Sequence, residues 1–170
     1  MRDLKLVCLI ITIAVGASIA DMHAQQQRRA PGRPESKPKV EVFLKAGGQT
    51  YQFSGPGRCT YTPTASIYQT QSEMWSAQQA ADNRSLALSL WKPKDGSAAM
   101  VTLSVASGHT SHEVSTVRGG GAPNGSGKVT VERSGAGARF VLDLKSKDGS
   151  PITGTIKCDA FTAHLAEGGP

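Results

Sequence analysis

The chain has 170 residues, a formal charge of +6, 19 glycines and only 5% aromatic residues, which leaves room for one ordinary domain once its ends are set aside. Glycine-rich composition and a near absence of helical periodicity exclude a helical bundle. The charge does not mark a nucleic-acid binder: from Lys39 onward thirteen Lys and Arg are interspersed with ten Asp and Glu, and no basic face or aromatic-lined stripe emerges.

The N-terminus reads as an export signal. Arg2 and Lys5 precede an apolar run from Leu6 to Ala20, too short to span a bilayer comfortably, and Ser18 and Ala20 set small residues at the −3 and −1 positions of a cleavage site. Cleavage is expected after Ala20, with Ala24 as a second option and an uncleaved anchoring helix as the rival. Cys8 lies too early to become a lipidated first residue. Residues 1–20 are therefore expected to be a signal peptide, and no stable membrane insertion is expected after its removal. Residues 21–38, rich in Gln, Arg and Pro, bury too little surface to order themselves and read as a disordered linker.

Structure is expected from Lys39, in a β domain over 39–164 followed by a flexible tail over 165–170. Residues 39–45 form a strand, Gly47-Gly48 turns it into a second over 49–54, and Gly55-Pro56-Gly57 breaks that strand. A third, over 58–63, carries Cys59. From Ala65 to Ala81 the pattern weakens. A strand through Ile67 and Tyr68 is expected to continue as irregular chain or a short helix. Alternation then becomes clear in residues 85–91, which set Leu86, Leu88 and Leu90 on one face, and in 100–105. A weaker run follows at 112–117, after which 128–133 alternates Val129 and Val131 with polar residues and 139–144 sets Phe140, Leu142 and Leu144 together. In the last strand Ile152, Ile156, Cys158 and Ala160 share one parity, which turns Cys158 into the core. Asp95-Gly96, Ser134–Gly137 and Asp148-Gly149 supply hairpin turns. Lys92–Ser97 and Lys145–Ser150 match at five of six positions, but the strands leading into them are out of phase by one residue, so shared turn chemistry accounts for the likeness. The fold class is all-β: an antiparallel β-sandwich or flattened barrel of about eight strands.

With Cys8 removed, Cys59 and Cys158 remain, and in an oxidising compartment two such thiols pair into one disulfide. The sites are less defined. His109 and His112 are the candidate metal ligands, beside Glu113, with His164 as a distant fourth group, but no ligand cluster completes a zinc site and no cofactor is expected. Trp91, Trp75 and Tyr68 are the candidate binding residues, because exposed aromatics on a β-sandwich can stack on sugar rings. Trp91 has parity opposite to Leu86, Leu88 and Leu90, which turns it from the core unless, at a strand end before Pro93, it folds over the sheet edge and packs there, the reading preferred. No Ser–His–Asp set or carboxylate pair stands out, so no catalytic residue is assigned. The glycines at 119–121 precede no helix and make a loop rather than a phosphate cradle. Asn83 and Asn124 fit the N-glycosylation pattern.

From Met74 to Phe161 the chain carries M-W-S-A, S-L-A-L-S-L-W, a Gly-Ser-Gly-Lys-Val turn and G-T-I-K-C-x-x-F. In these it resembles bacterial exported or lipoprotein-type β-sandwich domains, from which it departs in having no lipidated Cys. The resemblance implies fold and compartment and no catalytic residues. The expectation is a secreted or periplasmic, non-enzymatic binding or structural domain, with a protein or glycan of the envelope as partner. The alternative is a small hydrolase or metal-dependent enzyme built around His109, His112 and Glu113.

Overall fold

A computed structural model describes residues 37–117 and 123–163. The expected signal peptide, residues 21–36 of the linker, the glycines at 119–121, His164 and the tail lie outside the described residues. All described strands belong to the unit Ser36–Pro170.

Ten antiparallel strands form two packed sheets, a sandwich rather than a barrel. β1 (Lys39–Ala46) buries Val40, Val42, Leu44 and Ala46, turns through Gly47 and Gly48 at φ +56° and +76°, and pairs with β2 (Gln49–Pro56), which buries Tyr51 and Phe53. Glycine fits both central positions of this turn because each needs positive φ. The expected three-residue break at 55–57 is one residue long. β2 runs through Pro56, and Gly57 alone carries the chain to the second sheet. A Cβ there would stand 2.5 Å from both the Gln78 carbonyl oxygen and Val40 Cγ2. Pro56 is tolerated because β2 is an edge strand.

The second sheet begins with β3 (Arg58–Ile67) and β4 (Thr70–Ala81). Here the expectation of irregular chain or helix fails: residues 70–81 form the longest strand of the fold, paired along both edges. Trp75, Ala77 and Gln79 are buried on its inner face, while Ser72 and Ser76 are buried at the opposite parity, so no polar alternation advertises the strand. Its hairpin turns at Tyr68 and Gln69 with φ +49° and +64°, without the glycine that normally marks such a turn. Pro63, which has no N–H to donate, falls in a bulge between Thr62 and Ala65.

β5 (Arg84–Pro93), β6 (Met100–Ser107) and β7 (Thr110–Ser115) continue as a meander. The chain returns to the first sheet in β8 (Gly125–Ser134), β9 (Gly137–Ser146) and β10 (Pro151–Cys158), and β11 (Thr162–Ala163) adds two residues parallel to β3. The sheet orders are β2-β1-β10-β9-β8 and β11-β3-β4-β5-β6-β7. The two sheets hold ten antiparallel strands rather than about eight, and residues 58–81 fold as a complete hairpin. The repeated turns do share chemistry: Asp95 accepts hydrogen bonds from the N–H and hydroxyl of Ser97, and Asp148 from those of Ser150. The Cys59–Cys158 disulfide joins β3 to β10, and so one sheet to the other, within a core shared by both.

Candidate functional site

Sheet registers assemble a cleft at the open side of the sandwich. On the inner face of the second sheet Tyr61 pairs with Trp75 and Trp75 with Leu90, and one step further along Glu73 pairs with Lys92. β8 crosses above them as the last strand of the first sheet, presenting Val129, Val131 and Arg133. The enclosed volume is about 450 Å³.

Its aromatic wall is held from several sides. The Tyr61 and Trp75 rings lie 5.0 Å apart at 31°, and the Arg133 guanidinium sits 4.3 Å from the centre of the Tyr61 ring. That cation–π contact contributes about 0.5–1 kcal/mol where exposed and more where water is excluded. Phe161 stands 6.4 Å from Tyr61 and meets Phe140 edge-on, tying the wall to the core. The Tyr61 hydroxyl donates to Glu73 Oε1 at 3.5 Å, a long bond that leaves most of the carboxylate's capacity open. Trp75 is 4% exposed, and its Nε1–H is buried without an acceptor. A buried, unpaired donor costs about 1–3 kcal/mol, so this group is an anomaly in an otherwise well-packed wall. Among the described residues, Glu73, Lys92 and Arg133 form no salt bridge.

Of the sequence-derived binding candidates, only Trp75 reaches this cleft, and as a buried wall rather than the exposed stacking platform expected. Trp91 does lie on the outer face, half-buried between its cross-strand neighbours Met74 and Met100. Tyr68 occupies the β3–β4 hairpin tip, 56% exposed, beside a shallower depression bordered by Ile67, Thr70, Pro93 and Met100.

The metal candidates separate. His109 is exposed in the β6–β7 turn. His112 points inward, 5.7 Å from Tyr51 in an edge-on contact and close enough to Gly47 that a Cβ there would touch its ring. Glu113, one residue on, is exposed on the opposite side of β7. Period-2 geometry sends neighbours in a strand to opposite faces, which is why the three do not converge. Among the described residues, no three His, Cys, Asp or Glu side chains are grouped to hold a metal. Asn83 is exposed in the β4–β5 turn, whereas Asn124 binds Ser115 through both its backbone N–H and its side-chain oxygen, anchoring the start of the crossing to β8.

Sequence reasoning missed Glu73, Lys92 and Arg133 as partners of the aromatic residues. The available signal was parity: Glu73 and Trp75 are two apart on one strand and face the same way. The molecule is thus a disulfide-stapled antiparallel β-sandwich with a mixed aromatic and charged cleft beneath one sheet edge. No protein-family model, curated protein or solved structure matches the chain.

Proposed function

We propose that the protein is an exported, non-enzymatic binding domain of the cell envelope or periplasm, and that it holds its ligand in the cleft beneath β8. The observation that carries this reading is the cleft itself, a cavity of about 450 Å³ lined by Tyr61, Trp75, Glu73, Lys92 and Arg133, whose charged groups form no salt bridge among the described residues. The cleft lining includes one carboxylate, Glu73, and no histidine, cysteine or serine, which fits binding better than acid–base or nucleophilic chemistry. Export is supported by the charged and apolar pattern of residues 1–20, by a buried disulfide of the kind that persists in oxidising compartments, and by the resemblance of Met74–Phe161 to exported bacterial sandwiches.

Two measurements test this. N-terminal sequencing of the protein from its native host is expected to begin at Asp21, and a start at Met1 overturns export with cleavage. Immobilised wild-type protein is expected to retain a component of the envelope fraction that Arg133→Glu and Trp75→Phe proteins release. Equal retention by all three proteins overturns the cleft as the binding site.

A further inference from the structure

Resting on that reading, we infer that the ligand is an extended peptide strand that pairs with the free edge of β8 and sends an acidic side chain into the cleft. The first sheet ends too early. Among the described residues β8 pairs with β9 on one side only, and its inner-face Val129 and Val131 are partly buried. Beneath and beyond them the second sheet still presents Tyr61, Trp75 and Leu90. Its other edge, ten residues without proline, pairs with no strand among the described residues, and such an edge can take a further ladder. A strand laid about 4.8 Å from β8 would sit over β3–β5 at the ordinary distance between packed sheets, and alternate side chains would project into the cleft.

The chemistry of the walls selects what those side chains carry. Two cationic side chains line the cavity, Lys92 and Arg133. The one carboxylate, Glu73, already receives the Tyr61 hydroxyl. Donors exceed acceptors, and a ligand carboxylate meets that excess through charge-assisted hydrogen bonds. Flanking residues of the strand would be apolar, against Val129, Val131 and Leu90. A sugar fits less well, because a pyranose needs an open aromatic face. Arg133 covers the Tyr61 ring, and Trp75 is 4% exposed.

The full chain, isotope-labelled and with its disulfide intact, is titrated with short peptides of alternating Val and Thr bearing one central Glu, Gln or Lys. The expected result is binding of the Glu peptide about tenfold tighter than the Gln peptide, with the Lys peptide weakest. The Trp75 indole resonance is expected to shift, and β8 amides to gain protection from exchange. Arg133→Gln, an exposed-residue change whose fold is checked by its melting midpoint, is expected to erase the preference for the Glu over the Gln peptide. N-methylation of alternate peptide amides on the β8-facing edge is expected to abolish binding. Equal affinities for the three peptides, or undiminished binding after N-methylation, overturn the inference. A shift of Trp75 by an oligogalacturonate but not by the peptides overturns the strand while keeping the cleft. So does a cleft-dependent envelope retention that none of the peptides displaces.

Discussion

Reducing the Cys59–Cys158 disulfide separates chain constraint from packing more cleanly than any substitution. The two cysteines are buried at 0% and 1% exposure and are 99 residues apart in sequence, so the closed loop spans most of the described domain. Opening a loop of that length in the unfolded state returns about 4–5 kcal/mol of chain entropy, while both thiols keep nearly the same place in the core. For a domain of this size the melting midpoint should fall by about 15–20 °C. Equilibrium urea unfolding of oxidised and reduced protein measures the loss directly. The slope with urea should also steepen on reduction, because the unlinked unfolded chain exposes more surface. Replacing both residues by Ala should cost about 1–2 kcal/mol beyond reduction, through lost contacts. A midpoint shift worth less than about 1 kcal/mol on reduction, with an unchanged slope, would refute the argument that the staple acts on the unfolded chain.

Gly154→Ala should destabilise by about 2–4 kcal/mol in the same assay, since the residue sits at φ +134° in β10 and a Cβ would strike the Phe43 carbonyl oxygen, which no rotamer change relieves. A loss under about 1 kcal/mol would mean that β1 and β10 can separate to admit a methyl group. Asp148 should confer a pH-dependent contribution. Hydrogen bonds from the Ser146 hydroxyl, then from the N–H and hydroxyl of Ser150, hold its carboxyl at about 2 rather than 3.8. A depressed acid stabilises the fold fully above its ordinary value and loses that effect as pH falls through about 2. Wild type and Asp148→Asn should therefore differ in urea midpoint at pH 5 and converge near pH 2; a gap that widens in acid contradicts the assignment. Zn²⁺ should leave the His112 ring signals unmoved in NMR spectra, because the ring faces Tyr51 and Gly47 while Glu113 points the other way. A specific shift at stoichiometric metal would restore the metal reading.

The strands that announced themselves did so by burying one face. Leu86, Leu88 and Leu90 on β5, Val101, Leu103 and Val105 on β6, and Phe140, Leu142 and Leu144 on β9 all alternate with less buried positions and all lie in the core. The pairing of Cys59 with Cys158 followed from counting and parity. β4 failed the same test because Trp75, Ser76 and Ala77 are buried in succession, the serine hydroxyl finding Thr60 at 2.7 Å across the ladder. Once a polar residue is satisfied by a neighbouring strand, its identity no longer reports which side of the sheet it faces.

The cleft was hidden for a different reason. Tyr61, Glu73, Trp75, Lys92 and Arg133 are spread over 72 positions, and only register and the crossing of β8 bring them together. Val129 and Val131 alternate with polar residues much as Val40 and Val42 do in β1, yet β1 has a strand on each side and β8 has one. Local pattern encodes which face of a strand is apolar. It does not encode whether the strand is the last in its sheet, and among the described residues the open edge and the partly buried valines both follow from that one topological fact. Trp91 shows the converse. Parity places it outward, but its burial is set by Met74 and Met100 on the adjoining strands, which cover part of a ring that parity alone leaves bare. A side chain's direction is a property of its own strand, and its accessibility belongs to the strands beside it.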